Sequence, residues 1–403
     1  MADLDLDRSY RALFAVPAMG RLLLGMFIAR VSGTMVGVAV VLFTLQTYGS
    51  PVLAGFATFA SIFPGLLVSP IAGALLDRHG RTRLIVLDLL VALASLVLIG
   101  LLARANALPP WLLLLIAATS SLTGPLSATG LRSLFPIIVP SHLWERVNAL
   151  DSNGYVVASI LGPPIAAGLV GVLGGSTALI GIGLSFGVAA IVLSRVPDPE
   201  TETATTGNLL LDAWQGLRYT LSNPTLRGLG LSISVLNLMG GAFAIVVPVL
   251  VLDRLGYDEV MVGIVFAIQG IGGMLASLVS GRFDSRGRER QMLVIPMIIT
   301  GATLSALLVS TALPVLIGVM VVTGLVNGPA DIALFTLRQR RTDPAWTGRA
   351  FAVSMSFNFL GIPIGSVIGG LLADRSLEAA IALSVVAPLA AGAIAWLSIP
   401  QSE

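Results

Sequence analysis

The segment Asp77-Arg78-His79-Gly80-Arg81 is a short polar stretch between two long apolar ones, and a related segment, Asp284-Ser285-Arg286-Gly287-Arg288, follows 207 residues later. Both keep the spacing Asp-x-x-Gly-Arg. Three other features recur at offsets between 200 and 206 residues: Gly124-Pro125 with Gly328-Pro329, Arg132 with Arg338, and Pro163 with Pro363. A repeat of this kind indicates a duplicated structural unit.

The rest of the chain is strongly apolar. Its 403 residues are 56% hydrophobic and 11% charged, against roughly 45–50% and about 25% in soluble domains, and the mean hydropathy is +0.94. This composition excludes a soluble enzyme, a nucleic-acid binder and a disordered scaffold. A spanning helix needs about 20 mostly apolar residues. The chain offers twelve such stretches: 20–47, 52–76, 84–104, 110–138, 148–172, 176–194, 225–252, 259–281, 291–311, 314–338, 349–373 and 376–399. The sequence therefore predicts an all-α integral membrane protein with two pseudo-symmetric six-helix bundles.

The longest polar stretch, from Pro197 to about Asn223, divides the chain into an N-terminal bundle at 1–195, a cytoplasmic linker at 196–223 and a C-terminal bundle at 224–403. All 23 cationic residues are arginine. With the N-terminus inside, 19 of them fall on or near the inner side and three outside, which is the bias expected of cytoplasmic loops. We therefore expect a multi-pass protein of the cell (inner) membrane with both termini cytoplasmic. The complete absence of lysine is typical of a bacterium with a GC-rich genome.

Several kinds of site are excluded by residue type. There is no cysteine, and the two histidines, His79 and His142, lie in polar loops, so we expect no metal site and no cofactor. A nucleotide-binding loop of the form Gly-x-x-x-x-Gly-Lys-Ser/Thr requires lysine. We therefore expect neither an enzyme nor a nucleotide- or nucleic-acid-binding protein. Nothing indicates oligomerisation, so a monomer in the lipid bilayer is expected.

The segment Gly73-Ala74-Leu75-Leu76-Asp77-Arg78-His79-Gly80-Arg81-Thr82-Arg83 resembles the loop 2–3 signature of the major facilitator superfamily, with a weaker copy at Asp284, Gly287 and Arg288. The resemblance covers the whole chain. In the fifth span, Gly162-Pro163-Pro164 with Gly168 is similar to the antiporter motif of drug exporters, and other segments resemble the branch that contains enterobactin and macrolide exporters. The Arg-x-x-x-Gly pattern of proton-linked exporters is absent from the fourth span. The resemblance implies a secondary transporter that works by alternating access.

The loop signature predicts a conformational latch. Gly73 would let two helices approach closely, and Asp77 would face the positive N-terminal end of the eleventh span. The latch residues are Gly73, Asp77, Arg78, Gly80 and Arg81, their second copy Asp284, Gly287 and Arg288, and the possible cluster partners Arg132 and Arg349. The alternative is that these arginines only follow the charge bias of cytoplasmic loops.

Ionisable groups inside a membrane are expensive and point to function. Arg30 lies near the middle of the first span and needs a partner. If the first, fourth, seventh and tenth spans line the cavity, Arg30 and Asp331 form a titratable pair in which Asp331 binds the coupling proton. A purely structural ion pair is the alternative. Asp88 and Asp151, only four residues inside their spans, are interpreted as snorkelling or helix-start residues. The alternative for Asp151, with Ser152 and Asn153, is that it reaches the charge cluster on the inner side.

Six polar residues are candidates for substrate binding: Gln46, Ser127, Asn237, Gln269, Asn327 and Asn358. With few charges inside, the cavity favours an amphipathic substrate such as a drug, siderophore or metabolite, exported against entering protons. Two alternatives stay open. One is an importer of a nutrient or metabolite on the same fold, and the other is a receptor or assembly factor that does not transport.

Overall fold

The computed structural model describes residue 7 and residues 9–198, 209–280, 287–343 and 347–400, without the side chains of 73, 74, 77, 209–213 and 347–352. The described residues are helical, with turns between the helices and no strand among them. Twelve helices are long and apolar enough to cross a membrane. The prediction of an all-α membrane protein with twelve spans is confirmed.

We number the spanning helices α1 to α12 in chain order. The N-terminal half contains α1 (Met19–Tyr48), α2 (Pro51–His79), α3 (Arg81–Arg104), α4 (Pro110–Ile138), α5 (Trp144–Leu173) and α6 (Gly175–Leu193). A short helix, Tyr10–Ala15, precedes them. The C-terminal half contains α7 (Pro224–Val249), α8 (Glu259–Ser280), α9 (Glu289–Leu304), α10 (Leu313–Arg340), α11 (Thr347–Arg375) and α12 (Leu377–Ser398). A π-helical turn, Leu250–Arg254, extends α7, and Ala306–Val309 extends α9.

The two halves pack alike. In the N-terminal half α1 lies against α5 and α6, α3 against α6, and α4 against α2 and α3. The C-terminal half repeats this arrangement, with α7 against α11 and α12, α9 against α12, and α10 against α8 and α9. Two helix pairs, α2 with α11 and α5 with α8, join the halves. This is the pseudo-symmetric pair of bundles that the sequence predicts.

Consecutive spans run in opposite directions because short loops connect them. We call the side that carries Met19, the α2–α3 loop and the segment between the halves the linker side, and the opposite side the distal side. Within each helix the backbone satisfies its own hydrogen bonds, as a membrane requires. Polar side chains accept hydrogen bonds from the free N–H groups at several helix starts: Ser50 at α2, Asn223 at α7 and Ser376 at α12.

The repeated polar loops share one backbone feature. Gly80 has φ +91° and Gly287 has φ +73°, a region that non-glycine residues rarely adopt. The matching glycines of the sequence repeat therefore share a positive φ, directly before α3 and shortly before α9.

The fourth span is one membrane crossing but not one continuous helix. It consists of Pro110–Ser121, Gly124–Ser133 and Phe135–Ile138, and the second and third pieces each carry a proline in the first turn. Proline lacks the N–H that a helix interior needs, so a helix tends to restart at it. The sequence prediction of residues 110–138 has the right ends but did not include these breaks.

The described part of the linker is attached to both halves. Asp198 accepts a hydrogen bond from the backbone N–H of Thr82 at the start of α3 (3.1 Å). The linker helix, Leu209–Ser222, reaches the C-terminal half, where the Tyr219 hydroxyl accepts a hydrogen bond from the backbone N–H of Asp343 (3.0 Å). The polar segment therefore tethers the two halves at their linker side.

Candidate substrate cavity and its charged surroundings

A cavity of about 420 Å³ lies between the halves, lined by α5 on one side and by α7, α8, α9 and α10 on the other. We call it the central cavity. It brings together three of the six predicted substrate-binding residues, Asn237, Gln269 and Asn327, and it is also lined by Thr323 and Asp331. Gln269 donates a hydrogen bond to the Thr323 hydroxyl (3.2 Å), which ties α8 to α10 at the cavity wall.

Asp331 is the carboxylate of the central cavity. It is exposed within it, and the Asn327 amide donates to it across one helical turn (3.4 Å). No described arginine forms an ion pair with Asp331. The i, i+4 relation of Asn327 and Asp331 on α10 was predicted from the sequence. Whether these residues bind substrate or protons stays a prediction.

The other predicted substrate-binding residues lie elsewhere. Asn358 is buried in α11, where its backbone carbonyl accepts a hydrogen bond from Asn237 (2.8 Å), so it supports the cavity wall from behind. Ser127 lines a different cavity inside the N-terminal half. Gln46 lies at the distal end of α1, where it donates to Glu259 and accepts from the N–H of Gly175 (2.9 Å). Hydropathy gives the depth of a polar residue but not the direction in which it faces.

The predicted pairing of Arg30 with Asp331 is wrong. The guanidinium of Arg30 forms an ion pair with the Asp151 carboxylate and donates to the Asp151 carbonyl oxygen (2.8 Å). Asp151, only 5% exposed, also accepts from Arg132 (3.1 Å). It is therefore a buried acceptor between two arginines and not a snorkelling side chain, because α5 packs directly on α1.

An aromatic ring completes this cluster. The guanidinium carbons of Arg30 and Arg132 lie 3.8 Å and 4.6 Å from the ring centre of Tyr155, one helical turn beyond Asp151. Cation–π contacts of this kind stabilise a guanidinium in place of water. We call Arg30, Arg132, Asp151 and Tyr155 the arginine cluster. Sequence reasoning missed Tyr155, although its i+4 spacing from Asp151 was a usable signal.

The C-terminal half carries a counterpart in which two amides replace the buried ion pair. Asn237 and Asn358 follow Arg30 and Asp151 by 207 residues each, and Arg338 follows Arg132 by 206. The geometry repeats: Asn237 donates to the Asn358 carbonyl over 2.8 Å, the same distance as from Arg30 to the Asp151 carbonyl. The Asn358 amide oxygen, in its hydrogen-bonded orientation, accepts from Arg338 (2.5 Å). The same hydrogen-bonded contact between the first and fifth helices therefore occurs in both halves, with charged side chains in one and largely with amides in the other.

Only some residues of the predicted latch are among those that the structure describes. Arg78 is exposed, and Arg81 donates to the Ser133 carbonyl at the end of the second piece of α4 (2.6 Å). Arg132 belongs to the arginine cluster. Gly287 and Arg288 are exposed at the start of α9. Asp284 lies outside the described residues, as do the surroundings of Gly73 and the side chains of Asp77 and Arg349.

Asp198 is a linker-side residue that sequence reasoning overlooked. Besides the N–H of Thr82, its carboxylate accepts from the N–H of Arg83 (3.4 Å) and so caps the first turn of α3. A side chain at Gly80 would collide with this carboxylate, a second reason for glycine there. The signal in the sequence was the Pro-Asp pair that directly follows the sixth span.

The antiporter-like motif of α5 divides into two kinds of position. A Cβ atom at Gly162 would overlap the side chain of Thr34 in α1, so this glycine allows a close helix contact, as expected. A Cβ atom at Gly168 would meet nothing within 4 Å, so the expected tight packing at that position is wrong. Pro163 and Pro164 lie inside the helix Trp144–Leu173, and Pro163 lines the central cavity.

Two hydrogen bonds between described residues join the halves, and both are distal. Gln46 of α1 donates to Glu259 at the start of α8, and the Ser366 hydroxyl of α11 donates to the Gly55 carbonyl of α2 (3.1 Å). Close backbone contacts accompany them, since a Cβ atom at Gly263 would lie 2.9 Å from the Cα atom of Pro164. The halves are therefore in tight contact on the distal side of the central cavity.

Several known proteins are similar to this chain in sequence or in fold. An uncharacterised MFS-type transporter, y4rN, from Sinorhizobium fredii is 37% identical over 394 residues, covering 97% of each chain. The multidrug efflux pump Tap from Mycolicibacterium fortuitum is 26% identical over 376 residues, covering 89% of this chain and 90% of that protein. Among solved structures, a bacterial homologue of the iron transporter ferroportin, in an inward-facing state, superposes with a TM-score of 0.75 at 17% identity, covering 96% of this chain and 100% of that one.

The family model described as Major Facilitator Superfamily matches residues 22–286 and 229–403, which together span nearly the whole chain. The first match extends beyond the N-terminal half through α8, and the second covers the C-terminal half. Twelve spanning helices, a duplicated six-helix unit and this match agree, and the chain belongs to the major facilitator superfamily as a multi-pass membrane transporter related to the drug-efflux type.

Proposed function

We propose that the protein is a secondary transporter that exports a small amphipathic compound by alternating access, coupled to the entry of protons. The observation that carries the proposal is the central cavity, in which Asn237, Gln269, Asn327 and Asp331 from three helices of one half face α5 of the other. Sites of this kind, between two repeats, are where superfamily transporters of this architecture hold their substrates.

The chemistry of the central cavity fits an amphipathic ligand. Its volume of about 420 Å³ falls within the roughly 300–1,000 Å³ of small-molecule sites. Apolar side chains such as Phe266, Met274 and Met297 line it together with the amides. It contains one carboxylate and no described arginine, whereas a sugar phosphate or dicarboxylate would need arginines.

The contacts between the halves support alternating access. The distal closure consists of a few hydrogen bonds and close contacts at small residues, which a rocking motion can separate without unfolding a helix. The relatives named as efflux pumps support export as the direction.

Asp331 is the proposed coupling residue. Because no described arginine neutralises it and the cavity exposes it, the carboxylate can exchange a proton and present either a charged or a neutral surface to the substrate. Arg30, the other predicted coupling charge, is held by Asp151 and takes no direct part in this exchange.

We place the protein in the inner membrane of a bacterium, as a monomer, with both termini and the linker in the cytoplasm. The distribution of arginines supports this orientation, because Arg78, Arg81, Arg83, Arg132 and Arg146, at or near the ends of α2 to α5, all lie towards the linker side.

The test is a flux assay in proteoliposomes with ethidium as the probe and DNA trapped inside to report its entry. An acidic lumen should accelerate ethidium uptake by the wild type, and Asp331→Asn should abolish the acceleration. The matched control is Asp374→Asn, the same change at an exposed residue near the distal end of α11, which should behave as the wild type.

Equal gradient-driven uptake by wild type and Asp331→Asn would remove Asp331 from the coupling step. Dependence on a sodium gradient, with none on pH, would replace the proton as the coupling ion.

A further inference from the structure

A second cavity, of about 390 Å³, lies entirely within the N-terminal half. It is formed mainly by α1, α3 and α4, and it shares no lining residue with the central cavity. We call it the N-half cavity. Its size is that of a small-molecule site, yet neither the sequence motifs nor the proposed function account for it.

A buried carboxylate lies in its wall. Asp88 of α3 is only 5% exposed, and Ser127 of α4 lines the same cavity. No described arginine forms an ion pair with Asp88. The arginine that lines the same cavity, Arg30, is held by the carboxylate and carbonyl of Asp151. A buried charge without a partner of opposite sign is costly, so the site favours a ligand that supplies one.

The N-half cavity also contains unoccupied space beside glycines. A Cβ atom at Gly33 of α1 or at Gly124 of α4, both lining residues, would meet nothing within 4 Å. Around this space the wall is largely apolar, with leucines such as Leu89 and Leu113, and a few serine hydroxyls. The arrangement is a carboxylate beside an apolar pocket, which matches a molecule with one cationic group and an apolar body.

The repeat shows that this is not simply a copy of the other site. Thr123 and Ser127 correspond to Asn327 and Asp331 at an offset of 204 residues, whereas the position 207 residues after Asp88 is Ile295. The carboxylate of the N-half cavity, Asp88, therefore lies on α3, whereas that of the central cavity, Asp331, lies on α10, which is the counterpart of α4. Each of the two cavities has a single acidic lining residue.

We propose that the N-half cavity is a second ligand site, which binds an amphipathic organic cation and pairs its protonated amine with Asp88. An inorganic cation fits less well, because hard cations require about six oxygen ligands, and here an apolar wall surrounds one carboxylate and a few hydroxyls. The inference goes beyond the proposed function, since binding at this site requires no transport.

The experiment measures equilibrium binding of dansylcadaverine, a fluorescent primary amine, to the purified full-length protein in lipid nanodiscs without any gradient. Its N-acetylated derivative, which has nearly the same body but no charge, is the matched ligand. We expect Asp88→Asn to weaken binding of the amine by about tenfold or more, the scale of a lost charge-assisted contact, and to leave binding of the acetylated compound unchanged.

Two further variants make the result specific. Gly33→Leu fills the space beside Gly33 and should weaken the binding of both ligands. It should preserve the helix, because leucine is a better helix former than glycine. Asp331→Asn, in the central cavity, should leave the affinity of the N-half site unchanged. Gly33→Leu also provides the test if Asp88→Asn does not fold.

Unchanged amine affinity in both Asp88→Asn and Gly33→Leu would overturn the proposal. Loss of binding in Asp331→Asn alone would place the probe in the central cavity and also overturn it. Displacement of the amine by millimolar sodium chloride would overturn the ligand class in favour of an inorganic cation. Because no flux is measured, failure of the proposed function leaves these outcomes unaffected.

Discussion

Neutralising Asp151 should destabilise the N-terminal half by about 3 kcal/mol. The side chains of Arg30 and Asp151 are 8% and 6% exposed, so Asp151→Asn leaves a guanidinium buried without its counter-ion. Breaking one partner of a buried ion pair costs about 3–5 kcal/mol. The lower end applies here because Arg30 keeps its hydrogen bond to the residue 151 carbonyl (2.8 Å) and its contact with Tyr155. Arg132 is 54% exposed, so water screens its pairing and its share is at most about 1 kcal/mol.

The C-terminal half provides the second part of this prediction, because it makes the same helix contact with Asn237 and Asn358. The double variant Arg30→Asn with Asp151→Asn copies that arrangement and leaves Arg132 as the cluster's only charge, half exposed to water. We therefore expect the double variant to be more stable than Asp151→Asn alone, with about 2 kcal/mol of the loss recovered.

Stability would be measured by titrating the protein in mild detergent with SDS and following its helical circular dichroism. Glu145→Gln, at an exposed residue of the same helix, is the control and should lie within about 1 kcal/mol of wild type. A double variant that is no more stable than Asp151→Asn, to within about 0.5 kcal/mol, would refute the reasoning, because removing the unpaired charge should then recover stability.

Two other contacts can be tested with matched changes. Gly162→Ala should destabilise the protein by about 1–3 kcal/mol in the same SDS titration, because its Cβ atom would overlap Thr34. Gly168→Ala should be neutral or slightly stabilising, because a Cβ atom there meets nothing within 4 Å. Equal effects of the two changes would contradict the packing of α1 on α5. At the distal side, Gln46→Ala removes the hydrogen bond to Glu259. Single cysteines introduced near position 46 into this cysteine-free chain should then react faster with a maleimide, while cysteines on the linker side should react at the unchanged rate. Unchanged distal labelling would show that this contact does not hold the halves together.

Much of the fold was predictable because its determinants are local along the chain. Twelve apolar stretches of sufficient length must each form a helix, since only a helix satisfies its own backbone in a membrane. The Asp-x-x-Gly-Arg repeat led to the two halves, and its two glycines, Gly80 and Gly287, both have a positive φ. The related efflux pump Tap agrees with the resemblance to drug exporters.

The partners of the charges were not predictable in this way. The depth of Arg30 showed correctly that it needed a partner, but choosing Asp331 assumed that both faced the same cavity. The structure pairs Arg30 with Asp151, because α1 packs on α5 at this level. Gln46 illustrates the same difficulty, since it lies at the distal contact between halves and not in the cavity that its polarity suggested.

The amino-acid sequence alone determined the number of membrane crossings, the duplication and the position of the polar loops, because hydrophobic length and turn geometry depend on neighbouring residues. Only the tertiary structure decided that Asp151 is shared by two arginines, that Asp331 and Asp88 lie in separate cavities, and that Gly162 but not Gly168 is a packing position. Those outcomes depend on how each helix is rotated about its axis and on its register with its neighbours, and these are fixed when all twelve helices pack together.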